Sequence, residues 1–216
     1  MKRSLLSLLR SQTAETLAEV IIALVVLAVG ATGASTLIYV SISANAEGEQ
    51  RIEAYNLARE GVEAVRNIRD TNWLRFPGNR TDCWDVTLET TDPTKCKEAD
   101  GAVKIGSAAG INYVIYPQLN ETDEGGNPAT DLFSWKLEIL IPDGTDAMIY
   151  EYPFGDDILY VNDPWHTLGE TLTETPYERI IRIEKIDNTM IVTSTVSWQF
   201  KNRMKTVTFM DELTNY

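Results

Sequence analysis

The chain has 216 residues and carries 32 acidic against 19 basic side chains, a formal net charge of -13 at pH 7. This balance argues against nucleic acid or an anionic membrane surface as a partner of the soluble part of the chain. The single histidine, His166, stands in a polar stretch without a nucleophile motif, so we expect no enzyme activity.

The first predicted element is a membrane-spanning helix within an apolar run at residues 17–42. Residues 20–40 carry no charged side chain, and about 20 such residues suffice to cross the hydrocarbon of a bilayer. Residues 1–14 contain no acid, and their basic side chains are Lys2, Arg3 and Arg10. The positive-inside rule therefore predicts a cytoplasmic N-terminus, with the chain beyond about residue 44 on the other side of the membrane.

A single carboxylate, Glu19, lies inside the start of this apolar run. A charge near hydrocarbon costs roughly 2.5–3.5 kcal/mol, so an acid in this position normally has a partner and a function. Glu15 lies four residues earlier, and the two acids form an unfavourable like-charge pair on a helix. Two solutions are open: one acid is protonated, or both share cationic partners.

The helical pattern continues past the apolar run, over residues 46–70. Apolar positions recur there every three or four residues, which is typical of an amphipathic helix. Pro77-Gly78 is the first strong stop signal. We therefore predict one helix from about residue 16 to residue 70, and its apolar face in the second half consists of Ile52, Tyr55, Ala58, Val62, Val65 and Ile68.

The head, residues 71–216, is predicted to be β-rich and has the size of one domain. Turn signals at 187–189 and 201–203 separate the last three β-rich runs, which predicts a three-stranded antiparallel meander with one face on the helix. The predicted fold class is α+β, a long helix packed on an antiparallel β-sheet. The expected strands are 111–116, 135–141, 148–152, 180–186, 190–200 and 206–213, and the expected loops are 90–101, 120–131 and 162–176.

Two cysteines, Cys83 and Cys96, lie in one segment of the predicted extracytoplasmic head. An oxidising compartment favours a disulfide between them, which would contribute about 3 kcal/mol for so short a loop. Two free thiols are the alternative.

Two acidic loops offer oxygen ligands of the kind that calcium prefers. Neither loop follows the EF-hand order, so solvated acidic loops are the default interpretation, calcium is the alternative, and we expect no other cofactor. The two groups are Asp123, Glu124, Asn127 and Asp131, and Asp156, Asp157, Asn162 and Asp163.

The segment Ala14-Glu15-Thr16-Leu17-Ala18-Glu19-Val20, after its short basic leader, resembles the cleavage and methylation segment of type IV prepilins. The resemblance is specific for about the first thirty residues and architectural for the rest. It implies a leader at residues 1–14, cleavage between Ala14 and Glu15, an assembly helix at 15–45, an amphipathic continuation at 46–70 and a pilin-like head at 71–216. In the family a glycine precedes the cut and a phenylalanine or similar residue follows it, so Ala14 and Glu15 depart from the pattern.

The resemblance also implies a role for Glu19 and a set of partners. Glu19 would be the fifth residue of the processed chain and would pair with the N-terminal ammonium of a neighbouring subunit in a filament. The chain would be a major or minor pilin, or a pseudopilin. It would be processed by a prepilin peptidase, be stored in the membrane, and assemble with copies of itself and other pilins into a surface filament. Gly30 and Gly33 would allow close helix approach, or are ordinary glycines of a membrane helix.

Two other interpretations stay open. Ala44-Asn45-Ala46 has the small-x-small pattern of a signal peptidase site, and a cut there would release a soluble protein that begins at Glu47. A chain that keeps its N-terminus would instead be a permanently anchored extracytoplasmic binding or adhesion domain, with Glu19 reaching the inner interface.

Overall fold

The computed structural model describes residues 4–87, 103–119, 133–141, 145–154, 157–162 and 172–215. The chain divides into two compact units, Met1–Gln50 and Arg51–Tyr216, called here the N-terminal unit and the C-terminal unit. The helices are α1 (Ser4–Arg75), α2 (Arg80–Cys83) and a 3₁₀ turn (Thr145–Ala147). The strands are β1 (Val86–Thr87), β2 (Val103–Lys104), β3 (Ile111–Leu119), β4 (Phe133–Ile139), β5 (Met148–Phe154), β6 (Asp157–Asn162), β7 (Thr173–Ile186), β8 (Thr189–Phe200) and β9 (Arg203–Thr214).

Helix α1 ends at Arg75, later than the predicted end at residue 70, and Pro77-Gly78 follows as the predicted stop. The extra turn is held by Asn72, which is buried. Its amide Nδ2 donates to the carbonyl oxygens of Trp84 (3.2 Å) and Val86 (2.8 Å). Asn72 thus links the end of the helix to the chain that follows.

Strand β7 is the centre of a seven-stranded antiparallel sheet. On one side it pairs with β8, and β8 pairs with β9. On the other side β7 pairs with two hairpins in succession, β3–β4 near Ile181 and β5–β6 near Glu178. The α+β class, with α1 packed on an antiparallel sheet, is therefore confirmed, as is the three-stranded meander β7–β8–β9.

The two predicted turns of the meander take the backbone conformation that two-residue hairpins require. Asp187 has φ 51°, and Lys201 and Asn202 have φ 47° and 61°. Lys201 and Asn202 both have positive φ, which is the type I′ signature, whereas in the Asp187-Asn188 turn only the first central residue does, as in type II′. The twist of both turn types matches that of the flanking strands.

The predicted loop at 162–176 is wrong at both ends. Asn162 ends β6, and residues 173–176 begin β7. The side chains of residues 173–175 are polar, but the backbone pairs with β5, where Tyr150 faces Glu174. Thr175 is buried, and its hydroxyl donates to the carbonyl of Ile149 at 2.7 Å. A strand that meets its partner through backbone bonds and a single buried hydroxyl has no apolar alternation to reveal it.

The second half of α1 packs on the inner face of the meander, as its apolar stripe predicts. Ala58, Val62, Val65 and Ile68 are buried against it, whereas Ile52 and Tyr55 are exposed (66% and 45%). Ala54, Leu57 and Ala64 complete the face instead. The facing strand residues follow the predicted alternation of β8, with Val192, Ser194, Val196 and Trp198 all buried.

Gly61 sets how closely α1 approaches the sheet. A Cβ at this position would lie 2.6 Å from Ser194 Oγ and 3.2 Å from both Arg179 Cδ and Ile181 Cδ1. A Cβ at Gly48 would meet nothing within 4 Å. The glycine that lowers helix propensity at 61 therefore permits the packing that stabilises the C-terminal unit.

We expect Gly61→Val to lower the free energy of unfolding of the C-terminal unit by about 1–3 kcal/mol, because the added methyl groups overlap atoms of β7 and β8. Urea unfolding in detergent, followed by fluorescence of the buried Trp84 and Trp198, measures this. Gly48→Val is the matched control and should leave the transition unchanged. A Gly61→Val protein as stable as the parent would contradict the close packing.

Candidate functional site

The N-terminal unit presents an apolar helical surface. Every residue from Thr16 to Ile42 is exposed. The segment Thr16–Arg75 contains an 18-residue window with a mean hydropathy of 2.3, none of it buried, which by length and composition can cross a membrane. An apolar surface of this extent requires a lipid or protein environment, since monomeric soluble proteins rarely expose one.

Glu19 shares one face of this helix with small residues. At 100° per residue, positions 23, 26, 30, 33 and 37 lie within about 40° of position 19. Three of them are Ala23, Gly30 and Gly33, and a Cβ at either glycine would meet nothing within 4 Å. Small residues let helix backbones approach closely. The only acid in the exposed stretch therefore shares its face with small residues that a second helix can approach closely.

Three hydroxyl groups of this stretch are satisfied within the helix itself. Thr32 donates to the carbonyl of Val29, Ser35 to that of Ala31 and Thr36 to that of Thr32, each at 2.9 Å. Such bonds remove the need for water around these side chains. Among the polar side chains of this stretch, Glu19 is the one whose ionised form carries a full charge that an apolar environment must neutralise.

The predicted cleavage residues, Ala14 and Glu15, lie within α1, as do Ala44-Asn45-Ala46 of the alternative signal peptidase site. The helix runs through both positions without a break.

A buried arginine, Arg179, links α1 to the sheet in the C-terminal unit. Its Nη1 donates to the carbonyl of Leu57 (3.2 Å) and to Glu60 Oε2 (3.4 Å). Its Nη2 donates to the carbonyl of Tyr160 (3.3 Å) and to Asn162 Oδ1 (3.4 Å). Burial lowers the pKa of Arg179, and the charge of Glu60 opposes that shift. Burial raises the pKa of Glu60, opposed by Arg179.

Asn162, one of the proposed calcium ligands, is fully buried and already engaged. Its amide Nδ2 donates to the carbonyls of Asp146, Ala147 and Met148 (2.9–3.3 Å), and its Oδ1 accepts from Arg179. Its oxygen is therefore not available to a cation. Asp157 begins β6, and the remaining members of the two acidic groups (Asp123, Glu124, Asn127, Asp131, Asp156 and Asp163) lie outside the described residues, as does His166. The described part of the chain contains no group of three or more His, Cys, Asp or Glu side chains that could hold a metal.

A second buried charge, Asp85, fastens the chain after α2 to the sheet. It is fully buried and accepts from Lys104 Nζ (2.9 Å) and from Lys185 Nζ. Cys83, two residues earlier, is buried beside Phe76 and Val86 and is disulfide-bonded. Cys96 lies outside the described residues, so the Cys83–Cys96 pairing stays a prediction.

A cleft of about 350 Å³ lies beside α1, lined by Glu60, Glu63, Ala64, Arg66, Asn67, Asp70 and Trp135. Its carboxylates are already paired. Glu63 binds Arg66, Asp70 binds Arg69 at 2.8 Å, and Glu60 binds Arg179. The cleft thus offers neither an open cation site nor an acid poised for proton transfer.

Comparison with protein-family models, with curated proteins and with solved structures finds no match to this chain. Its function is therefore inferred from its own residues.

Sequence patterns did not identify Arg179 or Asp85. A signal for Arg179 exists, because it occupies an inward position of β7 between Tyr177 and Ile181, where an arginine must find a partner. Asp85 follows Trp84 in a segment with no periodicity, and its partners Lys104 and Lys185 are distant along the chain.

Proposed function

We propose that this protein is a structural subunit of a type IV pilus-like surface filament, held in the membrane by its N-terminal helix before assembly. The observation that carries the proposal is the placement of Glu19. It is the one acid on an exposed apolar helical surface, on the same face as Ala23, Gly30 and Gly33. A simple anchor has no use for that acid, whereas a helix that packs against copies of itself does.

The energy of the Glu19 carboxylate differs between the membrane and an assembled bundle. In the membrane a carboxylate near hydrocarbon costs roughly 2.5–3.5 kcal/mol. In a bundle of identical helices, the same carboxylate neutralises a cation of a neighbour, and the small residues around it allow the two backbones to come close. Processing after Ala14 would create such a cation, the α-ammonium of Glu15. Packing of the apolar surface and pairing of the charge then favour the filament over the membrane.

The C-terminal unit is suited to be the exposed part of such a subunit. The second half of α1 is fixed to the sheet through Gly61 and Arg179, so the sheet and this part of the helix move together. In the described part of this unit, the buried charges of Asp85 and Arg179 are paired, Asp85 with Lys104 and Lys185 and Arg179 with Glu60. Paired buried charges of this kind agree with a structural role.

A permanently anchored binding domain is the second candidate, favoured by the departure of Ala14 and Glu15 from the prepilin pattern. Cell fractionation separates the two. We expect the protein in filaments that shearing releases from the cell surface, detected with an antibody against the C-terminal unit, together with a membrane pool. Recovery from membranes alone would support the anchored domain, and recovery only as a soluble protein in the medium would support secretion.

A further inference from the structure

In the described part of the sheet, β9 forms a long and regular edge. It pairs with β8 over its whole length, from Arg203 opposite Phe200 to Thr214 opposite Thr189, without a register shift. Among the described strands, β8 is its only partner. Such an edge is a template for another strand.

The turn before β9 determines which backbone groups face that edge. Lys201 and Asn202 form the two-residue turn, so the flanking pair Phe200–Arg203 is hydrogen-bonded and alternate pairs after it are too. The N–H and C=O groups of Thr206, Thr208 and Met210 consequently point away from β8, toward the open edge. Further along, the N–H of Glu212 donates to Asp211 Oδ1 at 2.8 Å and so is not free to donate to another strand, which closes that end of the edge.

The charges of β9 match those of a second β9 strand that runs antiparallel to it. Lys205 and Asp211 lie three residues before and three residues after Thr208, and both lie on the inner face of the sheet with Val207 and Phe209 between them. Inward charges normally discourage edge pairing. Two β9 strands that meet antiparallel about Thr208 instead place Lys205 of each copy opposite Asp211 of the other, and Val207 opposite Phe209.

We propose that β9 pairs antiparallel with β9 of a second copy of this chain, with Thr208 on the two-fold axis. Lys205 adds a second cation to an Asp211 carboxylate that Arg66 already contacts. On the outer face, Met210, which is 66% exposed, covers Thr206 of the other copy. The contact uses only the C-terminal unit and does not involve Glu19. It can therefore be tested independently of filament assembly.

A cysteine cross-link tests the pairing at its centre. In an antiparallel hydrogen-bonded pair the facing Cα atoms are about 5.5 Å apart, within the range that a disulfide spans. We expect Thr208→Cys in the full-length chain, oxidised mildly in membranes, to give a disulfide-linked dimer on a non-reducing gel. Thr195→Cys is the matched control: it faces Thr208 from β8 and shares its hydroxyl contact, yet its two copies would be about 14 Å apart.

Charge exchange tests the register. With Thr208→Cys present, Lys205→Glu or Asp211→Lys alone puts like charges opposite each other and should lower the dimer yield about tenfold. Co-expression of the two variants restores opposite charges in the mixed pair and should restore the cross-link. Three results would overturn the proposal: Thr208→Cys gives no more dimer than Thr195→Cys, Thr208→Cys cross-links to a different protein, or the mixed pair does not regain the cross-link. Circular dichroism confirms that each variant is folded.

Discussion

Replacement of Glu19 by alanine should stop incorporation into filaments while leaving membrane insertion intact. Without the carboxylate, the helix loses the roughly 2.5–3.5 kcal/mol cost of a charge near hydrocarbon, so the membrane pool becomes more favourable. At the same time the assembled helix loses the ion pair that would neutralise its neighbour. Both effects favour the membrane pool over the filament. We therefore expect the fraction of the protein in sheared filaments to fall by at least about tenfold.

Two variants show whether the charge of Glu19 is responsible. Glu19→Gln keeps the size of the side chain and removes its charge, and it should fail to assemble as Glu19→Ala does. Glu49→Ala removes an exposed acid from the same helix beyond the apolar stretch and should assemble normally. Filaments of normal yield from Glu19→Ala would contradict the proposed role of the apolar helix face.

Arg179→Met should strongly lower the free energy of unfolding of the C-terminal unit. It removes the four hydrogen bonds that join α1, β6 and β7, and it leaves Glu60 beside an apolar side chain without its counter-ion. Loss of one member of a buried pair costs about 3 kcal/mol. Urea unfolding monitored by tryptophan fluorescence measures the change, and Arg182→Met on the exposed face of the same strand, whose ion pair with Glu184 is exposed, should cost less than about 1 kcal/mol.

The loss of stability caused by Arg179→Met should depend on pH in a definite direction. Burial raises the pKa of Glu60 above its ordinary value of 4.5, and Arg179 opposes this shift. In the variant Arg179 no longer opposes this shift, so the pKa of Glu60 rises further. The folded state then binds a proton more readily than the unfolded state. A raised pKa in the folded state contributes stability below the unfolded value that is lost as pH rises through the folded value. The stability deficit should therefore be larger at pH 7 than near pH 4. A deficit independent of pH, or one that grows on acidification, would contradict the assignment.

The parts of the fold that sequence patterns predicted share one property: they rest on periodicity or on local turn chemistry. The apolar stripe of α1 has a 3.6-residue period, β8 alternates with a period of two, and the turns at 187–188 and 201–202 contain residues that tolerate positive φ. The first turn of the amphipathic stripe was predicted on the wrong side of the helix: at 100° per residue Ile52 lies about 120° from Ala58 and is exposed, whereas Ala54 and Leu57 are buried at the same level.

The missed features depend on contacts between distant parts of the chain. The first residues of β7 form a strand because β5 supplies their backbone partners, which no local pattern records. Arg179 and Asp85 are tolerated in the interior only because Glu60 and the two lysines reach them across the fold. At the candidate site the situation is the reverse. Glu19 and the glycines of its face are evident from sequence, since a single acid within an apolar run and the 100° rotation per residue define them without tertiary contacts.

The proposal of a processed filament subunit is tested by the intact mass and N-terminal sequence of the protein. Both are measured on material recovered from sheared surface filaments and, separately, from membranes. We expect filament material to begin at Glu15, with a mass that shows loss of residues 1–14 and methylation of the new terminus. The membrane pool should contain both this form and the unprocessed chain. A chain that retains Met1 and occurs only in membranes, or one that begins at Glu47 in the medium, would contradict it.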